Sequence, residues 1–544
     1  MVRKKTSLAI KKNMKIGDLE AETDRDLLGA CFIDKGDLSQ LLNVKAPEAI
    51  ILGRTGSGKS ALILKGIAAV NNSVFLDPSD ISIRFLEHSD IIQFFDALGV
   101  KLDLFYQVLW RHVLVVELLR MRYGLKSEHD NKSFLEKFYR LMAKDKLKKK
   151  ALEYFTEWGD RFWIDTDEHL REITRKLERD VRTEIGAGWG TIALTGSGAL
   201  NLSESDKVEV SQRASRVVSG LQIKKLNEVL DLLSEYAFED RQKRYYVFID
   251  KLDVDWAETD IRCKFIRALI EEVKTFRRLE NVKIIAALRH DLLDMVFDRT
   301  RGSGFQEEKY ESYLLPVVWK RDELGRVIDK RINEIFVRQY TKQGVGFDDI
   351  FPPPKKGGGP KSIDYILDRT LLRPRDALQF VNEIFKVASG SEKISWRDIF
   401  AAESIYSKKR LNSLKEEWGD IYPELLETIE ILRGLDYTFT RGQMTDDRIN
   451  DVCISLFEGN SRDPCVRVVK KYFGDSGGKI KSSDIVTTML MSLYHVGAIG
   501  VKISSLDTFI WSYIDQPTIS RSEIRRSNHI KIHKMLWRSL NVVF

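Results

Sequence analysis

Eight consecutive residues, Gly53-Arg54-Thr55-Gly56-Ser57-Gly58-Lys59-Ser60, carry the full GxxxxGK[ST] spacing. The chemistry of such a loop is phosphate binding. Its glycines let successive backbone N–H groups turn inward onto phosphate oxygens, and the helix that follows adds the positive end of its dipole. Lys59 would neutralise β/γ charge and Ser60 would offer its hydroxyl to magnesium, with Ala61 in the first helical turn completing the nucleotide contacts. The flanks suit this role: an apolar strand, Ala49 to Leu52, precedes the loop, and an apolar helix, Ala61 to Ile67, follows it. An incidental glycine turn has no need of that context.

A phosphate loop needs a second strand ending in a carboxylate that holds magnesium through water. Val247-Phe248-Ile249-Asp250 fits, which makes Asp250, with Ser60, the expected metal side. In the commonest arrangement a glutamate comes next and polarises the attacking water. Lys251 stands there instead, and a cation cannot accept a proton. Asp253 takes that role if the chain curls after the strand; otherwise it caps the following turn, and slow hydrolysis is expected. The next strand, Val282 to Leu288, ends in Arg289-His290-Asp291. A parallel sheet sets this tip beside Asp250, so Arg289 either senses a γ-phosphate or forms an ion pair with Asp291 or Asp294. Arg299 and Arg301, before a Gly-Ser-Gly loop, either act in trans on a neighbouring subunit's nucleotide or lie in a solvated loop.

The elements that must position these groups read as an α/β domain. Strands at Ser73 to Asp77, Tyr245 to Asp250, Val282 to Leu288 and Tyr313 to Val318 alternate with helices, the rhythm of a parallel sheet. A large helical insertion, about 83–240, separates the second strand from the third. Within it Gly186 to Leu200 reads as a hairpin or flap and Val210 to Phe238 as one helix. The whole core spans 43–318 and follows a tail and strap, 1–42, whose basic part to about Lys15 is expected to be mobile. A small helical lid, 319–394, holds helices at Asp322 to Tyr340, Ser362 to Asp368 and Arg375 to Ala388. From 395 to 544 a linker helix leads to short helices and then to strands at Ile499 to Ile503, Thr508 to Ile514 and His529 to Ile532, the pattern of a winged helix.

Composition agrees with a folded, soluble protein. The 544 residues make three or four domains at about 150 residues each, and the chain is 43% hydrophobic and 31% charged. Four cysteines without a CxxC pair, and a basic start without an apolar signal segment, point to the cytoplasm. No apolar stretch is long enough to span a bilayer. Lysine and arginine number 88 against 81 acids, a surplus of +7 that permits nucleic-acid contact without requiring it.

Together GRTGSGKSAL, VFIDKLD, the strand-end Arg289 and LLRPRDALQFVNEI at Leu371 to Ile384 resemble AAA+ ATPases of the origin-recognition and STAND type, including a group of bacterial P-loop ATPases. The resemblance covers most of the chain. It implies an ATP- and Mg2+-dependent ATPase, and makes VFIDKLD a Walker B strand and Arg375, or else Arg373, a sensor-2 arginine reaching the nucleotide from the lid. Two departures are Lys251, where many relatives carry an acid, and the large insertion; they bear on turnover and on ring assembly. Such a lid arginine turns nucleotide state into a relative orientation of domains. RPRD also suits a plain helix start, with proline and Asp376 in the first turn.

Near the C-terminus Arg521, Arg525, Arg526, Lys531, Lys534 and Arg538, with Trp511, Tyr513 and Trp537, are candidates for phosphate contact and base stacking. Protein docking or autoinhibition by a winged helix is the other reading. His529 and His533 are four apart, but no third ligand accompanies them and they read as structural. The sequence therefore describes a cytosolic nucleotide-dependent switch in signalling or defence, with a DNA-binding ATPase and a nucleotide-binding scaffold without turnover as alternatives. Its partners are ATP, a second copy of the chain, and DNA or a protein.

Overall fold

The computed structural model describes residues 9–78, 89–142, 149–162, 164, 166–189, 194–219, 223–253, 259–300, 307–339, 344–355, 357–474, 481–504, 506–515 and 518–544. They form two compact units. One comprises Asp34–Arg54 and Lys59–Val317; the other comprises Met1–Ile33, Thr55–Gly58 and Val318–Phe544.

The first unit is built on five strands, β1 (Ile50–Leu52), β2 (Ser73–Leu76), β3 (Tyr245–Ile249), β4 (Val282–Leu288) and β5 (Leu314–Pro316). Every pairing is parallel and the order is β2-β3-β4-β1-β5. β3 and β4 are buried along their whole length, as near-continuous runs of Val, Ile, Ala, Phe and Tyr require in a sheet covered on both faces. All five strands start at one edge and end at the other, so the residues after them gather along a single carboxyl edge. The helix Lys59–Ala69 follows β1. Gly66 lets it approach the sheet, because a Cβ there would come 2.8 Å from the Phe248 ring.

Helices from Asp90–Ala97 to Ile223–Tyr236 fill the stretch between β2 and β3 and share one hydrophobic core with the sheet. Asp103–Tyr123 runs through the middle of them and is buried almost all round from Phe105 to Leu119. Its one deeply placed cation, Arg111, meets both oxygens of Glu272 at 2.6 Å and Asn227 at 2.8 Å. Trp110 donates to the carbonyl of Phe265 at 2.9 Å. The hairpin expected over Gly186 to Leu200 is corrected: Gly186–Trp189 completes the helix Thr166–Trp189 and Gly196–Leu200 is a short helix, while 190–193 lie outside the described residues. Helical periodicity upstream carries through two glycines, each costing only about 1 kcal/mol. Of the helix expected from Val210 to Phe238, the described residues show the helical stretches Glu204–Ser219 and Ile223–Tyr236, while 220–222 lie outside them.

The second unit has its own core. Its main helices are Arg321–Gln339, Ser362–Leu367, Pro374–Val387 and Trp396–Trp418, the last started by a capping box between Ser395 and Asp398. Residues 10–16 belong to this core, which overturns the expected mobility over Ile10 to Lys15; residues 1–8 lie outside the described residues. Ile10, Met14 and Ile16 are buried while Lys11, Lys12 and Lys15 face out. Ile10 exchanges backbone bonds with Ser391 and Gly390, and the Asn382 amide bridges Ile16 N–H and Gly17 C=O at 2.9 Å each. Arg331 donates to the Ile16 carbonyl and pairs with the buried Asp24 at 2.6 Å. Apolar residues spaced among the lysines outweigh the charge pattern.

Farther on, Asp446–Phe457, Pro464–Gly474 and Ser482–His495 pack beside an antiparallel sheet of β6 (Thr438–Thr440), β7 (Ile499–Lys502) and β8 (His529–Ile532), in the order β6-β8-β7. The strand expected at Thr508 to Ile514 reduces to one bridge, Ile510 to Val501. Trp511 lies over Gly500, where a Cβ would meet its ring at 2.6 Å.

Removing one member of a buried ion pair strands the other, at a cost of about 3–5 kcal/mol. R111M should therefore destabilise the sheet-bearing unit by that amount in denaturant unfolding, and adding E272L should restore most of it.

Candidate nucleotide-binding site

The glycine loop leaves β1 where backbone must turn sharply. Gly56 and Gly58 take φ of +76° and +98°, the left-handed region that a side chain disfavours. Lys59, the first residue of its helix, is buried, and its Nζ donates to the carbonyls of Gly53 (3.1 Å) and Arg54 (3.2 Å). Burial pushes this ammonium's pKa down, while Asp253 first and then Asp250 oppose that shift.

Asp250, at the tip of β3, is buried as well. Burial raises its carboxyl, opposed by the Ser60 hydroxyl and by the N–H of Lys251, which donates to Oδ1 at 2.8 Å. The two residues expected on the metal side are thus hydrogen-bonded to each other. Arg289, at the tip of β4, donates through Nε (3.0 Å) and Nη2 to the two oxygens of Asp291, and lies 4.0 Å from Asp253. Lys59, Asp250, Asp253 and Arg289 therefore converge on one sheet edge, because β4 lies between β1 and β3.

Two members of this edge were not singled out from sequence. His290 begins the helix His290–Thr300 and is pushed down to about 4 by burial and by Arg54. Asp77, directly after β2, accepts an ion pair from Lys251 Nζ at 2.7 Å. Its only signal was that it ends β2 as Asp250 ends β3.

The residues fit a bound nucleotide and metal. The Ser57 hydroxyl is buried and has no hydrogen-bond partner among the described residues, an arrangement that a phosphate oxygen would satisfy. Asp250 and Ser60 offer the hard oxygen donors that magnesium takes. No group of three or more His, Cys, Asp or Glu able to hold a metal occurs among the described residues, so such an ion would rely on phosphate oxygens and water for its other ligands.

Within the second unit, the loop tip Thr55–Gly58 meets the segment that carries Arg373 and Arg375. Arg373 donates to the Thr55 carbonyl at 2.7 Å and is buried in a cluster with Asp376, Glu417 and Arg410. Burial works against these charges, yet the opposite partners prevail, raising Arg373 and lowering Asp376 to about 2. Arg375 is half-buried. Its N–H donates to the Gly56 carbonyl at 3.3 Å, its Nε to that of Leu19 at 3.3 Å, and its Cβ occupies the space a side chain on Gly56 would need. Trp319 Nε1 donates to the Ser57 carbonyl at 2.7 Å. Sequence reasoning missed Trp319, since no motif marks it.

The remaining candidates are dispersed. In the first unit, Arg299 pairs with Asp260 at the surface, and Arg301 lies outside the described residues. In the second, Arg521 and Arg525 both reach Asp484, Lys534 pairs with Asp368, and Lys531 lies 5.5 Å from the Phe509 ring centre. Arg526 is exposed. Trp537 donates to the Ile532 carbonyl and packs edge-on against Phe544. His529 and His533 share no helix face, since β8 ends between them. His533 is buried, accepts from Met535 N–H on Nδ1 (3.1 Å) and meets Tyr513 through Nε2 (2.9 Å). Burial pushes it down to about 3.

A parallel sheet of this order, with a GxxxxGK[ST] loop leaving β1 and a carboxylate at the tip of β3, is an α/β fold of the P-loop NTPase kind. Residues 322–415 match the family model of a FunZ-associated C-terminal helical domain. Among solved structures the chain is similar to a Walker-type ATPase of Pyrococcus abyssi, at 12% identity over 91% of this chain and 96% of that one, with a TM-score of 0.34. No curated protein matches the chain. Among the described residues no helix is long and apolar enough to cross a membrane.

Burial first, and then the charges of Arg54 and Lys59, should keep the His290 ring neutral until about pH 4. Followed by NMR, its Cε1 proton should titrate there in the nucleotide-free protein. A midpoint near the ordinary histidine value of about 6.5 would show that the cluster does not form.

Proposed function

We propose that this chain binds ATP with magnesium, hydrolyses it slowly, and serves as a nucleotide-dependent conformational switch in signalling or defence. The observation that carries this reading is the convergence of Lys59, the Ser60–Asp250 pair, Asp253 and Arg289 on the carboxyl edge of one parallel sheet. Backbone N–H groups of Gly53 to Ala61 cradle the phosphates, with Arg54 and Thr55 in the same loop. Lys59 turns from its loop carbonyls to the β/γ oxygens, and the Ser57 hydroxyl takes a phosphate oxygen. Ser60 and Asp250 would hold the magnesium, and a bound ion there would supply positive charge for the transferred phosphoryl group. Arg289 is the γ-phosphate sensor, held in place by Asp291.

The helical segment 319–394 is the lid, and Arg375 rather than Arg373 is its nucleotide-facing arginine. Arg373 already has two carboxylates and a carbonyl to satisfy. This organisation favours an AAA+ ATPase of STAND-like type, with Arg299 and Arg301 acting between copies in an oligomer. The helices and three-stranded sheet after residue 395 form a winged helix suited to docking protein: Arg521, Arg525 and Lys534 are committed to Asp484 and Asp368, which subtracts from a DNA-binding face. A salt-dependent shift of duplex DNA that disappears in R525A/R526A would restore the DNA-binding reading.

Truncating one partner of a buried charge contact costs about 2–5 kcal/mol. K59A should therefore weaken ATP binding by about 30-fold or more in calorimetry while circular dichroism stays unchanged. Equal affinity in the variant and the natural protein would refute the nucleotide reading.

A further inference from the structure

Among the described residues four carboxylates stand along the carboxyl edge, Asp77, Asp250, Asp253 and Asp291. Asp250 takes the Ser60 hydroxyl. Asp291 is gripped by Arg289, and Asp253 lies between Arg289 and the Lys59 ammonium as a counter-charge. The fourth, Asp77, is buried at the tip of β2 with a side chain only 5% exposed. A buried charge there is tolerated only with a partner of opposite sign, and Lys251 supplies one.

The geometry points to Asp77 as the carboxylate that orients and deprotonates the attacking water, with Lys251 as the residue that positions it. This assignment rests on the nucleotide reading above and names the base that the reading lacks. Leu76 and Ile249 are partners in the parallel register, so Asp77 and Asp250 occupy equivalent places on neighbouring strands about 4.8 Å apart. Asp77 is therefore the carboxylate on the strand adjoining the metal-side aspartate. Lys251 stands where a catalytic acid commonly follows that aspartate, and it adopts φ +62°, an unusual conformation for a residue with a Cβ. In that conformation its Nζ reaches Asp77 Oδ2 at 2.7 Å, and the stem is partly exposed. The ammonium holds the Asp77 carboxylate in place, and an ionised carboxylate is the form able to accept a proton. Lys251 thus takes the place of a base in the chain but supports one in space.

In the step itself, water oxygen bonds to the γ-phosphorus as the bond to the bridging oxygen breaks, and that electron pair leaves with ADP. One water proton passes to the Asp77 carboxylate and then to solvent, leaving inorganic phosphate.

The test uses the full chain, with fluorescent ATP binding and single-turnover phosphate release measured separately. D77N should bind ATP within about threefold of the natural protein yet release phosphate about 100-fold more slowly or worse, the usual loss for a removed general base. D77E, which keeps a carboxylate, should recover part of that rate. Undiminished release by D77N overturns the assignment, as does a loss of rate explained by an equal loss of binding. If D77N fails to fold, K251M decides: a fall in kcat of about tenfold with unchanged ATP affinity supports the pair, and unchanged kcat overturns it. Natural protein that binds no ATP overturns the nucleotide reading as well, and does so in the binding arm before hydrolysis is measured.

Discussion

The structure is organised around one buried ammonium. Lys59 lies at the start of a helix, where the dipole is already positive, and is shielded from water, so its own burial weakens its charge. A lysine in that setting stays useful for phosphate only if carboxylates stand near enough to support it without capturing it. Asp250 and Asp253 meet that condition: neither forms a direct ion pair with Lys59 among the described residues, while both favour its charged form. The Nζ rests instead on two loop carbonyls, contacts that a phosphate can replace at little cost.

Strand order makes this balance possible. With β4 between β1 and β3, and β2 beyond β3, the edge runs from positive to negative: Lys59 after β1 and Arg289 after β4, then Asp250 after β3 and Asp77 after β2, with Lys251 paired to Asp77. Counter-ions stand beside the like-charged neighbours: Asp291 and Asp253 beside Arg289, and Lys251 beside Asp77. An order with β3 directly beside β1 would bring Asp250 next to Lys59, where the attraction between them is stronger.

The second unit shows the same economy with charge. Arg373, Asp376, Arg410 and Glu417 form a neutral buried cluster in which each ion faces opposite partners, the condition under which buried charges are tolerated. Several cations that look free in one dimension are spent in this way. Arg521, Arg525 and Lys534 each close onto an aspartate distant in sequence.

Residue order alone determined the phosphate loop, the apolar strands ending in Asp250 and Arg289, and the alternation that makes a parallel sheet, because these depend on local spacing and on short-range backbone preference. The linker helix after residue 395 and the strand at His529–Ile532 were legible for the same reason. Tertiary structure decided which tips became neighbours, and so brought Asp77 to Lys251 across 174 residues. It also decided that Ile10, Met14 and Ile16 lie in a core, that glycines at 186–189 continue a helix, and that Arg373 is buried while Arg375 lies over Gly56. Such outcomes turn on burial and on charges that meet only after folding. Both are properties of position in space, which the order of residues does not carry locally.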